Sequence, residues 1–366
     1  MDTSDTEISF DESGVCDHCR GFKEHVAPNW FPNAEGERRF LAVVEKIKAD
    51  GEGRDFDCIL GMSGGLDSSY LLHKAVVDFG LRPLVFHVDG GWNTDIAVSN
   101  IQSLVDGLGL DLYTEVINWN EMRDFQLAFF KSGVPHIDIP QDHAFIATLY
   151  NFADKHKIKY ILNGGNISTE CVRNPLNWLY YGTDMAQLND IRRKFCTVRM
   201  RTYPFSSVLR HKFYLRYLRG VQVVKPLDWM NYTKKMARET LSDLYGWKPY
   251  PQKHFESRFT RFYEGYWLPE RFGYDTRRVQ YSSLILTGQM RREEAIHALE
   301  RPAYDPDTIE HEFDYIARKL GITSEELRGY FSMPKKTYRD YRNQRWMFDI
   351  GAKVLQAIGA EKAVKR

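Results

Sequence analysis

The chain has 366 residues, room for one large domain or two ordinary ones. With 43% apolar and 27% charged residues, it is not a disordered chain. The 50 Lys and Arg against 49 Asp and Glu leave a net charge of +1, so the composition points to neither nucleic acid nor a membrane as a partner.

Residues 1–35 read as an irregular segment rich in turn formers, containing Cys16 and Cys19. Residues 36–50 have helical spacing, with Phe40, Val43, Val44 and Ile47 on one face. From residue 55 the pattern becomes strand–loop–helix. Residues 56–62 form a short apolar strand, and a helix follows the Ser-Gly-Gly loop and ends at Gly80. Strands at 81–89 and 111–117 alternate with helices at 94–108, 119–131 and 142–157. A fourth strand, starting at Lys159, runs into a glycine loop. This order predicts an α/β fold with a doubly wound parallel sheet.

Beyond about residue 170 the periodicity weakens. Residues 221–227 make a last strand ended by Pro226, and helices are expected at 233–245, 291–299, 306–320, 323–331 and 340–358. The aromatic stretch from His254 to Tyr281 shows no clear period. The expected organisation is a segment over 1–35, an α/β domain over 36–230 and a helical C-terminal region over 231–366. No apolar run approaches the roughly 18 residues of a spanning helix, and the acidic N-terminus has no signal-peptide pattern, so a cytoplasmic location is expected.

The strongest motif is Ser63-Gly64-Gly65-Leu66-Asp67-Ser68, directly after a strand and opening a helix. The glycines permit a tight turn and close approach of a ligand. Backbone N–H groups at the helix start, with the hydroxyls of Ser63 and Ser68, then face an anion. Asp67 suits the helix N-terminus and can hold a metal that bridges phosphates. The plain alternative is a capped strand-to-helix turn. The loop is neither a Walker A motif nor a dinucleotide fingerprint.

The loop resembles that of the N-type ATP pyrophosphatases, the PP-loop superfamily with its adenine nucleotide alpha hydrolase-like (HUP-like) fold, over roughly residues 55–170. The resemblance implies cleavage of ATP to AMP and pyrophosphate with Mg2+, and adenylation of a carbonyl oxygen. It implies adenosine over the end of the second strand, at His87, Val88 and Asp89. Asn163, Gly164 and Gly165 end the fourth strand, where a doubly wound sheet admits a ligand. Lys225, at the end of the last strand, can neutralise the pyrophosphate leaving group or be a solvated surface lysine.

Further segments resemble the N-acetyl sugar amidotransferase family of bacterial surface-polysaccharide and lipopolysaccharide (O-antigen) biosynthesis. They are Val88-Asp89-Gly90-Gly91-Trp92-Asn93, Ile139–Phe145, Tyr160–Asn166, Lys253–Thr260, Phe272–Arg278 and Ser282–Gln289. The likeness runs from about residue 1 to residue 340. It implies that the acetamido group of a nucleotide-linked N-acetyl sugar becomes an acetamidino group. Asp142 and His143 can then position the acetamido group or accept a proton from ammonia, or Asp142 can simply cap a helix. His254, Glu256 and Arg258 form a polar cluster for substrate, Arg258 gripping a phosphate or making a structural ion pair. Trp92 can stack on a ring or be buried.

No glutaminase nucleophile is recognisable, and the family implies a separate glutaminase subunit, with a cyclase-like partner, as the source of ammonia. Cys16 and Cys19 form a C-x-x-C, half of a zinc site. Family members carry a second pair in a stretch shaped C-x-x-C-V-M-D-T-S-D, and this sequence starts at the Met of that pattern. His25, Cys171 and Cys196 are substitute ligands, and a chance pair of reduced cysteines is the alternative. Competing activities are a tRNA-thiolating PP-loop enzyme using Cys171 or Cys196, a non-catalytic nucleotide-binding subunit, and an adenylating synthetase for a free carboxylate.

Overall fold

A computed structural model describes residues 1–357. Its sheet has five parallel strands: β1 (Cys58–Gly61), β2 (Pro83–Asp89), β3 (Leu112–Val116), β4 (Tyr160–Leu162) and β5 (Gln222–Val224). Their order is β3-β2-β1-β4-β5, the doubly wound arrangement expected from the sequence. The chain builds outward from β1 in one direction, then returns to lay β4 on the other side. The carboxyl ends of β1 and β4 therefore flank the point where the winding reverses, and a crevice opens there.

The strands explain their own burial. β1 and β2 are covered on both faces, so they read as apolar runs. Successive side chains divide between the two faces. Cys58, Leu60, Val85, Tyr160 and Leu162 pack with Phe40, Val44 and Ile47 of the helix Ala34–Asp50 and with Leu71 and Leu72 after the Ser-Gly-Gly loop. Ile59, Phe86, Val88 and Ile161 pack on the opposite side with Phe125, Phe129 and Phe130 of the helix Trp119–Ser132.

That second core continues into Phe259, Phe262, Tyr263, Trp267, Phe313 and Ile316. The aromatic stretch without a period is largely helical: Arg258–Phe262 runs through a wider π-turn, Tyr263–Trp267, into Leu268–Phe272. Its apolar side chains are buried around much of its circumference, and such a helix has no amphipathic stripe to read. Helices at Met185–Phe195, Arg210–Leu218 and Arg277–Leu286 were also not expected. The last expected helix begins at Arg345 rather than 340, and its residue 358 lies outside the described residues.

Residues 17–29 wind through three short helical turns rather than remaining irregular. The segment is tied to the C-terminal region: the Met1 ammonium donates to Ser282 Oγ at 2.5 Å, and Arg278 pairs with Asp2.

Candidate active site

β1 gives way at Met62, whose N–H still bonds to the Phe86 carbonyl at 2.8 Å. Gly64 follows in the left-handed region (φ +81°), and a Cβ there would fall 2.9 Å from the Ala97 carbonyl oxygen. Both facts require glycine. Gly65 precedes the helix Leu66–His73. The Ser63 and Ser68 hydroxyl oxygens lie 3.1 Å apart, and Ser63 Oγ accepts from the Gly65 N–H at 3.2 Å. The Gly64 carbonyl accepts from Tyr250 Oη at 3.0 Å and from the Trp247 indole at 3.3 Å. Gly164 from the β4 loop approaches so closely that a Cβ there would lie 3.0 Å from the Ser68 nitrogen. The two glycine loops thus meet at the crevice.

Asp67 is not a solvated cap. Its Oδ2 accepts from Lys253 Nζ at 2.8 Å, and its Oδ1 accepts from the Tyr232 hydroxyl. Burial would raise its carboxyl pKa, but Lys253 and Tyr232 outweigh burial and hold it below the usual range. Lys253 Nζ also donates to Glu170 Oε1 at 2.6 Å and to Thr169 Oγ1 at 3.2 Å. Burial opposes its charge, yet Asp67 and Glu170 push its pKa above the ordinary lysine value. Lys253 therefore stays cationic beside the phosphate loop.

The segment carrying Lys253 is strapped across the crevice. The Glu256 carbonyl accepts from the Thr94 N–H at 3.0 Å, and the Arg258 N–H donates to the Trp92 carbonyl at 2.8 Å. This brings the Glu256 carboxylate onto the loop, where Oε1 accepts from Ser63 Oγ at 3.2 Å. Burial raises the Glu256 carboxyl, opposed by His254. His254 has a left-handed backbone (φ +66°) and holds Nδ1 3.1 Å from Glu264 Oε1. Burial disfavours the imidazolium, but Glu264 outweighs burial and raises its pKa to about 9.

This pair makes a pH prediction. A histidine raised from 6.5 to about 9 by folding adds stability that is fully present below pH 6.5 and lost as pH rises through about 9. The side chain is 43% exposed, so solvent screens the effect. Melting temperatures should therefore fall across that window, and His254→Asn, which tolerates the left-handed backbone, should flatten the slope. An unchanged slope in the variant would remove the pair as its cause.

Two cavities adjoin here. One, of about 720 Å³, is lined by Ser63, Gly65, Asp67 and Ser68 together with the cations Lys234, Arg238 and Lys253. The second, of about 480 Å³, lies over the ends of β1, β2 and β4, with apolar walls from Met62, Phe86, Val88, Leu149 and Leu162. They share Ser63, Asn163, Gly164, His254 and Glu256. His87 lines the second cavity and is fixed by donating Nδ1–H to the Met62 carbonyl at 2.7 Å and accepting from Asn93. Gly165 sits on the rim of the first, its N–H bonded to Asn163 Oδ1 at 2.7 Å.

Several expected site residues lie elsewhere. Both ring nitrogens of His143 are taken by backbone: Nδ1 donates to the Gly182 carbonyl at 2.7 Å, and Nε2 accepts from the Ser206 N–H at 3.0 Å. It lies outside both cavities and serves as a buried brace, with burial lowering its pKa. Trp92 is 2% exposed, bonds to Gln126 and packs on Trp119 and Phe259, so it offers no open face. Arg258 makes two hydrogen bonds to Glu312, at 2.8 and 3.0 Å, and lies over the Tyr315 ring. That is the structural ion pair, not a phosphate grip. Asp89 accepts from the Gly91 N–H at 2.7 Å and from Asn93, shaping the turn after β2.

Asp142 does line the second cavity, 3.5 Å from His136 Nε2. The helix begins earlier than expected, at Ile139, so Asp142 stands in its first turn rather than at its cap. Lys225 lies behind the β4 loop, its Nζ 3.6 Å from where a Cβ on Gly165 would stand, and lines neither cavity. The buried cation beside the phosphate loop is instead Lys253. Sequence reasoning missed Lys253, Glu170 as its partner, and Tyr232. Lys253 stands in a segment singled out above, but only the fold shows that it faces Asp67.

Two carboxylates, Asp67 and Glu170, converge on one cation, Lys253, beside loop hydroxyls. That donor set suits a hard divalent ion with bound water and phosphate oxygens, so Mg2+ fits here. Zinc does not fit as a complete site. Cys16 and Cys19 hold their sulfurs 3.3 Å apart, but His18 pairs with Asp5 at 3.0 Å, and no group of three or more metal-ligating side chains occurs among the described residues. Burial pushes the thiols of Cys171 and Cys196 up to about 11 and about 12, and neither lines either of these two cavities. Neither is poised as a sulfur-transfer nucleophile.

Residues 256–355 match the family model described as "LPS biosynthesis protein WbpG-like, C-terminal domain". A comparison with curated proteins gives no match. Among solved structures, the NH3-dependent NAD synthetase from Campylobacter jejuni is 12% identical, with a TM-score of 0.32, covering 82% of this chain and 98% of its own. The NAD+ synthetase from Burkholderia pseudomallei is 15% identical, with a TM-score of 0.32, covering 83% and 98%. The NMN synthetase from Francisella tularensis is 15% identical, with a TM-score of 0.28, covering 61% and 91%. Among the described residues no helix is long and apolar enough to cross a membrane.

Proposed function

We propose that the protein is an ATP-dependent, AMP-forming amidotransferase that converts the acetamido group of a nucleotide-linked N-acetyl sugar into an acetamidino group during lipopolysaccharide biosynthesis. The observation that carries this reading is the convergence of Lys253 and Asp67 at the Ser63–Ser68 loop, in a cavity that shares Ser63, Asn163, Gly164, His254 and Glu256 with a second. The C-terminal family match supports the lipopolysaccharide setting.

An amide carbon is a poor electrophile, and transfer of AMP to its oxygen makes it a good one. The apolar cavity suits a nucleoside and the cationic one a triphosphate chain. Loop N–H groups and Lys253 would bear the charge that grows on departing pyrophosphate. Mg2+, held by Asp67 and Glu170, would supply further neutralisation of the phosphates. The acetamido oxygen must meet the α-phosphate at the shared rim, beside Asn163, His254 and Glu256. Ammonia then adds to the activated carbon and AMP leaves with the former amide oxygen. Asp142, which lines the second cavity, would take a proton from ammonia. No covalent enzyme intermediate is needed.

The test follows that oxygen. With an isotopically labelled acetamido oxygen, the label should appear in AMP. Label left in the sugar, or released to water, would contradict adenylation at that atom. Ammonia is expected from a separate glutaminase subunit with its cyclase-like partner. Ammonium chloride alone should therefore sustain turnover, whereas turnover by the isolated chain that required glutamine would place a glutaminase in this protein.

A further inference from the structure

The near-neutral total charge conceals one strongly biased tract. Residues 191–227 contain ten Lys or Arg and no Asp or Glu. Within this tract lies the helix Arg210–Leu218, whose i→i+5 winding places positions four or five apart on one face. Its inner side is anchored: Leu215 is fully buried, and the His211 ring stacks on Tyr150 at 4.6 Å. Its outer side is apolar. Leu209, Phe213, Tyr217 and Leu218 are 61%, 58%, 55% and 66% exposed. Val223 on the adjoining edge strand β5 is exposed as well.

Cations flank this ridge. Arg210 and Arg219 share Asp154, at 2.8 and 2.6 Å, which fixes both beside the helix and neutralises only one of them. Arg216 lies 5.5 Å from the centre of the Tyr217 ring. Protruding aliphatic and aromatic side chains between cationic flanks match an interface between lipid headgroups and acyl chains. They do not suit a second copy of the chain, because a symmetric contact would set cation against cation. Nucleic acid would satisfy the charge and leave Leu209 and Leu218 without apolar partners.

We propose that the Arg210–Leu218 helix seats the protein on an anionic bilayer surface, with Leu209, Phe213, Tyr217 and Leu218 entering the headgroup boundary and the flanking cations meeting lipid phosphates. The interaction is peripheral and independent of the reaction proposed above. Each cation near such a surface strengthens binding about fivefold.

Flotation of the full chain with vesicles tests this. The protein should float with phosphatidylcholine vesicles containing phosphatidylglycerol and stay down with phosphatidylcholine alone. The double variant Phe213→Ser/Leu218→Ser should lose at least about tenfold in binding. Its melting curve should match the parent's, because both side chains are exposed. Failure to float with anionic vesicles would overturn the proposal, as would full binding by the double variant. Vesicle binding abolished by excess RNA and indifferent to the double substitution would show a polyanion site instead.

Discussion

Lys253→Met should lower the rate of pyrophosphate release from ATP by at least about a hundredfold, the usual cost of removing one preorganised charge from a transition state. The expectation rests on position. Lys253 Nζ lies within 3.2 Å of oxygens from Asp67, Glu170 and Thr169, and it lines the same cavity as the Ser63–Ser68 loop. On the proposed reading, this ammonium would bear charge that grows on the leaving group when a triphosphate enters. The substitution also leaves two carboxylates facing each other without their cation, so some loss of stability is expected. Lys253→Arg separates the effects. It restores the charge and most of the stability, but its planar fork cannot reproduce a point contact with three oxygens, so activity should recover only in part. A Lys253→Met protein that melts like the parent and still releases pyrophosphate at the parent's rate would remove Lys253 from the chemistry.

Asp67→Asn should be comparably damaging to turnover and much gentler on the fold. Asparagine keeps the shape and can still accept from Tyr232, while losing the charge that binds Lys253 and a divalent ion. Pyrophosphate release should fall at least about a hundredfold, and the Mg2+ concentration giving half of the residual rate should rise. The shift in Mg2+ dependence separates the metal role from a general loss of structure. Unaltered activity with an unaltered Mg2+ requirement would show that Asp67 only tethers Lys253.

The parts of this account that were legible in the sequence share a physical cause. β1, β2 and β4 are buried runs bounded by glycine or proline turns, and local pattern suffices to find them. The phosphate loop was legible because its glycines answer to local geometry, as Gly64 shows with its left-handed backbone and its contact on Ala97. Side chains whose role depends on contacts across the chain were not legible. Lys253 meets Asp67 across 186 positions, and Arg258 meets Glu312 across 54. Nothing local distinguishes the lysine that enters the crevice from the arginine beside it that leaves for an ion pair. His143 follows Asp142, yet the step of about 100° between neighbouring helix positions sends it into the backbone of Gly182 and Ser206 while Asp142 lines the cavity. Averaging also hid information. A net charge of +1 summed away the acid-free tract around the Arg210–Leu218 helix, and 3.6-residue periodicity does not describe a helix wound i→i+5.

The measurement that tests the central claim most directly is mass spectrometry of the products from ATP, Mg2+, ammonium and a panel of nucleotide-linked N-acetyl sugars. One sugar should emerge lighter by the difference between O and NH, with AMP and pyrophosphate formed in equal amounts. AMP and pyrophosphate accompanied by unchanged sugars across the panel would contradict amidine formation on this substrate class.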